Sequence, residues 1–297
     1  MSRVANFNTI NDYNQFNNNE TLHPLVSVVD LSKSDPRAAH KMTFNVYCVV
    51  LKQTKCGDLR YGNNTYDYQD GTLVFFAPGQ VVEVLSDEVY QPTGFALAFH
   101  PDLLLNTPLG RRMQDFGFFS YHTSEALHLS DKEKKLVMEC FEKVAYELQQ
   151  SIDKHSKMLI TSNIELFLNY CIRFYDRQFI TRDNANKGIL EKFEELMNDY
   201  FSSDKPQNIG LPSVSWCADE LNLSANYFGD LIKKETGKTA QEFIQTKVID
   251  VAKEKIFDAD KSISQVAYDL GFKYPQHFTR LFKQKVGVSP NEYRSLN

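Results

Sequence analysis

The first third of the chain carries short apolar runs separated by turn residues. Val, Phe and Tyr are frequent in the runs, and Gly, Pro, Asn and Asp stand between them. Short strands at close spacing with such turns indicate an all-β sandwich or barrel. The predicted strands are Leu25–Asp30, Thr43–Leu51, Thr72–Ala77, Val81–Leu85 and Gly94–His100.

From about residue 101 the apolar positions recur every three or four residues, which is typical of a helical face. Ser130 and Glu133 form a capping-box pattern ahead of the first such helix. A second helix is predicted from about Met158 to Tyr175. Its apolar stripe suits either packing onto the β-rich domain or a dimer contact with a second subunit.

Two polar segments divide the chain. Residues 1–20 contain seven asparagines, which predicts a mobile arm, or else an ordered arm that docks on a partner domain. Residues 181–187, TRDNANK, lack large apolar side chains and predict a linker. The predicted domains are therefore 21–180 and 188–297.

An internal repeat is the most informative feature of the sequence. SVSWCADELNLSANYFGDLIKKETGKTAQEF (213–243) matches SISQVAYDLGFKYPQHFTRLFKQKVGVSPNEY (262–293) in its small, apolar and glycine positions. Ala218 and Leu221 match Ala267 and Leu270 at an offset of 49, and the later matches fall at an offset of 50. The added residue lies near the middle of the repeat.

Each copy has the residues that a helix-turn-helix needs. A small residue allows the two helices to cross closely, and Asn222 or Gly271 follows four residues later, where the tight turn requires positive φ. The predicted units are 213–237 and 262–287, with a serine cap at the start and a glycine at the end of each. Apolar residues between the copies predict one continuous connecting helix.

Composition excludes several classes of protein. The chain has 297 residues, of which 42% are hydrophobic and 24% charged, so it can bury a sizeable core. It contains neither an apolar stretch of membrane-spanning length nor a secretory signal pattern. Five cysteines without a CxxC pair suit the reducing cytoplasm, which is the predicted location.

Charge supports nucleic-acid binding only locally. The whole chain has a net charge of −5, but residues 271–297 carry five Lys or Arg against one Glu. The first unit adds Lys233, Lys234 and Lys238. Basic residues thus concentrate on the second helix of each unit, where phosphates would lie. A generic helical bundle with solvated lysines is the alternative.

Signatures of catalysis and metal binding are missing. The six histidines before residue 188 include no His-x-His pair, and no nucleophile elbow, phosphate loop or dinucleotide fingerprint is present. We therefore expect no catalysis, metal or cofactor. Aromatic side chains could line an effector pocket or form simple core, and the candidates are Tyr47, Tyr61, Tyr66, Tyr68, Phe75 and Phe76.

The segments SANYFGDLIKKETGKTAQEFI (224–244), IDVAKEKIFDADKSISQVAYDLGF (249–272) and GFKYPQHFTRLFKQKVGVSPNEYR (271–294) resemble the signature of AraC/XylS-type bacterial transcription regulators. The chain departs from that signature at Val248, where the family often has arginine, and at Gly229-Asp230. The segment YDYQDGTLVFFAPGQVVEVL (66–85) resembles the sensor domain of the family in outline.

The resemblance implies an α+β protein with an N-terminal cupin-like β-barrel, flanking helices, and an all-α double helix-turn-helix domain. It also implies recognition helices near 225–235 and 275–285 in successive major grooves of double-stranded DNA. The candidate DNA-binding residues are Ala225, Asn226, Tyr227, Lys233, Lys234, Lys273, Tyr274, Gln276, His277, Thr279, Arg280 and Lys283.

The expected function is transcription regulation controlled by a small-molecule effector in the barrel. Candidate partners besides DNA are RNA polymerase, the unknown effector and a second copy of the chain, whereas a membrane is not expected. Two alternatives remain open. One is a cupin-type enzyme with a helical accessory domain, and the other is a regulator whose barrel serves only dimerisation.

Overall fold

The computed structural model describes residues 4–38, 40–52, 58–61, 64–66, 71–85, 89–122, 125–181, 183–258 and 260–296. The chain divides into two compact units, residues 1–181 and 182–297. The first unit contains two sheets with helices, and the second is helical. The strands are β1 Val4–Phe7, β2 Val26–Asp30, β3 His40–Phe44, β4 Tyr47–Lys52, β5 Asp58–Tyr61, β6 Asn64–Tyr66, β7 Thr72–Phe76, β8 Gln80–Leu85, β9 Gly94–Phe99 and β10 Leu127–His128.

The strands of the described residues form two five-stranded sheets and not a closed barrel. One sheet has the order β1-β3-β8-β5-β6 and the other has the order β10-β7-β4-β9-β2. The predicted strand Thr43–Leu51 is two strands, β3 and β4, which belong to different sheets. The chain crosses between the sheets at Asn45, whose backbone N–H donates to the Phe7 carbonyl.

Side chains between the two sheets form the core of the first unit. On β7, Val74 and Phe76 belong to this core, and Phe76 stacks on Phe44 of the opposite sheet with 4.8 Å between ring centroids. The alternate residue Phe75 lies on the other face, where it packs on Phe118. Because both faces are covered, β7 reads as a continuous apolar run.

The prediction of a mobile arm is wrong for residues 4–17, which belong to the first unit. Strand β1 pairs in parallel with β3, and helix α1 (Ile10–Phe16) begins with a capping box at Thr9 and Asp12. Ile10 and Tyr13 are buried in the core between the sheets. These few apolar residues bury enough surface to order a segment that its asparagines make appear solvated.

The described residues of the first unit include three further α-helices, namely α2 Pro108–Arg112, α3 Asp131–Leu148 and α4 Ser156–Thr181. The capping box of Ser130 and Glu133 at the start of α3 is confirmed. Helix α4 is longer than predicted. Its apolar stripe, Ile160, Ile164, Phe167, Leu168, Cys171 and Phe174, is buried within its own unit. The stripe therefore packs inside the unit and is not free for a subunit contact.

The predicted linker 181–187 is largely helical. Helix α4 ends at Thr181 and helix α5 (Asp183–Ser202) begins two residues later. The segment has neither Pro nor Gly, so its polar residues can continue a helix whose apolar face starts further along.

Helix α5 opens the second unit, and seven more helices follow. They are α6 Lys205–Ile209, α7 Val214–Glu220, α8 Ala225–Thr236, α9 Ala240–Lys255, α10 Ile263–Asp269, α11 Pro275–Val286 and α12 Pro290–Leu296. The fully buried rings of Phe193, Tyr200, Phe228, Phe278 and Phe282 form much of the core.

Candidate nucleic-acid interface

Helices α7 and α8 form the first helix-turn-helix unit, and α10 and α11 form the second. The Ser213 hydroxyl accepts from the Trp216 N–H at the start of α7, and Ser262 forms a capping box with Gln265 at the start of α10. Gly237 ends α8 and Gly287 ends α11, both in the left-handed conformation. The caps thus lie where the repeat places them.

The two tight turns use different residues for the same backbone geometry. Asn222 has a φ of 56° and Gly271 has a φ of 91°. Asn tolerates the left-handed region better than most side chains do, and Gly has no steric penalty there. The prediction that both turn residues adopt positive φ is confirmed.

A second constraint applies to Gly271. A Cβ at this position would lie 2.6 Å from the carbonyl carbon of Gly210 and 2.7 Å from its oxygen. The loop at Gly210 is held in turn by Tyr200, whose hydroxyl donates to the Gly210 carbonyl at 2.8 Å. The second turn therefore packs backbone to backbone against the loop after α6.

Helix α9 joins the two units. It begins with a capping box of Thr239 and Glu242, and its 16 residues span about 24 Å. Val248, at which the related family often has arginine, is 1% exposed and lies in the core. At the far end, the Arg294 guanidinium donates to the Ile256 and Lys261 carbonyls, which fixes the segment before α10.

Helix α11 presents a basic and polar face to solvent. The exposed residues on and just before it are Lys273, Tyr274, Gln276, His277, Arg280, Lys283, Gln284 and Lys285. Thr279 is half-buried, and its hydroxyl donates to the Pro275 carbonyl of the same helix. Most of the predicted contact residues of the second helix-turn-helix unit therefore lie together on one accessible face of α11.

Helix α8 presents a less basic face. Ala225, Asn226, Asp230, Lys233 and Lys234 are exposed. The predicted contact residue Tyr227 is only 5% exposed, because its ring is packed inside the unit, so it is unsuited to contact bases. Asp230 was not among the predicted contacts, although its place one turn after Asn226 puts both on one face.

The first unit has a cavity of about 80 Å³ between its sheets. Of the six aromatic candidates, Phe76 lines it, whereas Tyr47 and Phe75 pack on Phe119 outside it. The side chains of Tyr61 and Tyr66, and the whole of Tyr68, lie outside the described residues. The other lining residues include Tyr13, Phe16, Asn17, Arg37, Met42, Phe44, Val50, Lys52 and Val84.

Sequence reasoning missed the polar part of this lining. The Arg37 guanidinium donates to the Asn17 side chain at 3.0 Å and lies 4.4 Å from the centre of the Phe16 ring. Lys52 is 8% exposed at the end of β4. Since the arm and strand that bring these residues together are far apart in sequence, no local pattern indicated the set.

The buried cysteines are poorly suited to nucleophilic or redox chemistry. Burial raises the pKa of the Cys48 thiol to about 12, and it likewise raises the pKa of the Cys217 thiol to about 12. A thiolate is the reactive form, so both side chains act as small apolar core residues at neutral pH. Cys217 contacts Met197 of α5.

Two other kinds of site are not found in the part of the chain that the structure describes. Its His, Cys, Asp and Glu side chains nowhere come together in threes as a metal site would require. Among its helices, none has both the length and the apolar character needed to cross a bilayer.

Comparison with known proteins concerns mainly the second unit. The family described as a helix-turn-helix domain matches residues 217–295. An uncharacterised transcriptional regulator from Bacillus subtilis, YfiF, is 26% identical over 266 residues, which cover 86% of this chain and 78% of that protein.

Other similarities are shorter. The transcriptional activator RhaS of Escherichia fergusonii is 25% identical over 131 residues, which cover 43% of this chain and 44% of RhaS. A solved transcriptional regulator from Chromobacterium violaceum, described as AraC-type, is 20% identical and covers 38% of this chain and 94% of that structure, with a TM-score of 0.33. The chain thus spans less than half the length of RhaS.

The paired helix-turn-helix units, the family match over residues 217–295 and the similarity to YfiF define the class of protein: a DNA-binding transcription regulator. The resemblance to the AraC/XylS type is confirmed for the C-terminal unit, residues 182–297, whose residues 217–295 match the helix-turn-helix family.

Proposed function

We propose that the chain regulates transcription by placing α8 and α11 in successive major grooves of one DNA site. The single observation that supports this best is the accessible face of α11, with Gln276 and Arg280 one turn apart, Lys273 just before the helix and Lys283 in its last turn. Gln pairs with adenine and Arg with guanine through two hydrogen bonds each, whereas Lys suits phosphate.

The individual roles follow from side-chain type and exposure. Asn226, Gln276, His277 and Arg280 read bases, and the exposed lysines hold phosphates. Ala225 and Tyr274 lie at the helix starts, close to the groove edge. Thr279 contributes its methyl group, because its hydroxyl is bonded within α11.

Binding of the whole chain to promoter fragments tests this proposal. Several phosphate contacts predict that log K falls with log salt concentration with a slope of several units. Arg280→Ala should weaken binding to the preferred site by about tenfold or more, whereas Arg111→Ala, an exposed arginine of the first unit, should not. Absence of binding to any promoter fragment at low salt would refute the proposal.

We also propose that a small-molecule effector binds in the cavity of the first unit, in a domain related to the cupins. Its walls are mainly apolar, with the side chains of Arg37 and Lys52 adding positive charge. A ligand that binds only the folded state raises the melting temperature. A thermal-shift screen of the whole chain against metabolites should therefore find one.

A matched pair of variants tests the site of that shift. Val50→Phe fills the cavity and should abolish the ligand-induced shift, whereas Val81→Phe changes a valine that is 53% exposed and should preserve it. A screen without any ligand would favour the alternative regulator, whose first unit serves only dimerisation.

A homodimer is proposed as the active assembly, with RNA polymerase as a further partner and the cytoplasm as the location. Leu159 and Leu166 lie seven residues apart on α4 and are each 41% exposed, on a different face from the buried stripe. Sedimentation equilibrium of the chain and of Leu166→Lys measures whether this face holds two copies together. A monomeric parent chain would refute the dimer.

A further inference from the structure

A surface groove lies beside the start of β4, in the first unit. It has a volume of about 380 Å³, and none of its lining residues lines the cavity between the sheets. Ligand pockets commonly have volumes of about 300–1,000 Å³. Tyr47, one of the aromatic candidates from the sequence, lines this groove together with α2 and the turn before it. The groove is therefore a second place in the first unit with the size of a small-molecule site.

Hydrogen bonds fix the backbone that forms the walls of the groove. The Thr107 hydroxyl donates to the Leu104 carbonyl and accepts from the Gly110 N–H. The Lys157 ammonium of α4 donates to the Leu105 carbonyl at 2.9 Å. Gly110 is required here, since a Cβ at this position would clash with the Leu104 carbonyl oxygen. The groove thus has its shape before a ligand arrives, which lowers the entropic cost of binding.

Two adjacent arginines of α2 differ in what they contact. The Arg112 guanidinium donates to the Glu165 carboxylate at 2.6 Å, which holds α2 to α4, and to the Asp115 carboxylate at 3.3 Å. Arg111 is exposed and lines the groove, and its guanidinium contacts no carboxylate in the part of the chain that the structure describes. Since Arg112 already makes the structural contact, the charge of Arg111 is available to a ligand.

The rest of the lining combines polar groups with apolar surface. The Tyr47 hydroxyl and the Asn106 side-chain amide line the groove, and neither makes a hydrogen bond to any of the described residues. Leu105 and Met113 add apolar surface beside them. A guanidinium pairs with a carboxylate through two parallel hydrogen bonds. The lining therefore suits a ligand with one anionic end and an apolar body.

We propose that this groove binds a small monocarboxylic acid with an apolar body. The carboxylate pairs with the Arg111 guanidinium, Tyr47 and Asn106 supply further hydrogen bonds, and the apolar body packs on Leu105 and Met113. A phosphate monoester carries about two negative charges at neutral pH, whereas Arg111 is the charged residue among the described residues of the lining. A carboxylate therefore matches the groove better than a phosphate does. This site is independent of the DNA binding and of the cavity proposed above.

NMR of the full chain with ¹³C-labelled methionine methyl groups reports on the two sites separately. Met113 lines the groove, and Met42 lines the cavity between the sheets. We expect 4-methylpentanoate or 3-phenylpropanoate to shift the Met113 signal saturably and to leave the Met42 signal in place. The corresponding uncharged amides should bind about tenfold or more weakly, because they lose the hydrogen bonds between charged partners. Inorganic phosphate should leave both signals in place.

Three variants test which side chains hold the acid. Arg111→Gln should raise the Kd of the acid about tenfold or more without changing the melting temperature, since the side chain is exposed. Tyr47→Phe should raise the Kd severalfold, because it removes the hydroxyl and keeps the ring stacked on Phe99. Arg173→Gln removes the same charge from an exposed position of α4 and should leave the Kd unchanged.

Four results would overturn the inference. They are a Met113 signal that neither acid shifts, a response confined to the methionine of the cavity, equal affinity for an acid and its amide, and an unchanged Kd in Arg111→Gln. A shift of the Met113 signal by inorganic phosphate equal to that by the acids would likewise overturn the assignment to a carboxylic acid.

Discussion

The two helix-turn-helix units share one plan but rest on different supports. The first helix-turn-helix unit packs on α5, where the Phe193 ring meets the Phe228 ring edge-on at 4.9 Å between centroids. The second helix-turn-helix unit packs on the loop after α6, where Gly271 meets Gly210. The support that each unit has decides which substitutions its turn accepts, even though both turns have positive φ. Two copies of a repeated sequence therefore need not tolerate the same substitutions at matching positions.

Gly271→Val should have the largest effect. Positive φ strains a β-branched residue, and its Cβ also clashes with the Gly210 backbone, so the expected cost is about 3–5 kcal/mol of unfolding free energy. Denaturant unfolding measures this cost. Asn222→Gly should change stability by less than about 1 kcal/mol, because only the turn geometry matters there.

Two further variants separate strain from the clash. Gly271→Asn has a residue that tolerates the turn but keeps the Cβ, so it should remain severely destabilised. Asn222→Val has the strain without a new Cβ, so it should cost about 1–3 kcal/mol. If Gly271→Asn is as stable as the parent chain, the contact with Gly210 is not rigid and the comparison fails.

The structure of the C-terminal unit, residues 182–297, could be predicted because the sequence features that determine it are local. Small residues, turn residues and caps recur at a fixed offset, and each acts within a few residues of itself. The arm was misread because its order comes from Ile10 and Tyr13, which pack against strands far along the chain. The cavity could not be derived either, because its lining combines residues of the arm, such as Asn17, with residues of strands far along the chain, such as Phe76 and Val84.

The N-terminal caps of α8 and α11 differ in the stability that they contribute, by less than the turns do. The Ser224 hydroxyl accepts from the Tyr227 N–H at 3.2 Å, whereas Tyr274 caps α11 without a side-chain hydrogen bond and Pro275 follows it. Ser224→Ala should therefore cost about 1 kcal/mol, and Tyr274→Ala should cost less than half of that. Equal losses of unfolding free energy in denaturant would show that the serine cap does not stabilise the first helix-turn-helix unit.

An ion pair that spans α10, from Lys261 before the helix to Asp269 at its end, gives the smallest expected difference in stability between the two helix-turn-helix units. Lys261 Nζ lies 2.6 Å from Asp269 Oδ2, and this hydrogen bond lowers the pKa of the Asp269 carboxyl. In the first helix-turn-helix unit Pro212 stands at the position of Lys261, and Glu220 stands at that of Asp269. The sequence therefore gives this Lys–Asp ion pair, and the acid sensitivity that comes with it, to the second helix-turn-helix unit and not to the first.

Asp269→Asn should lower the melting temperature at pH 7, and Glu220→Gln should lower it less. A carboxyl with a depressed folded-state pKa stabilises the fold above its unfolded pKa of about 3.9. That stability is lost as the pH falls through the lower folded-state pKa. The difference between Asp269→Asn and the parent chain should therefore be constant from pH 7 to about pH 5 and should shrink below about pH 4. A difference that persists unchanged at pH 2.5 would show that Asp269 acts through packing and not through its charge.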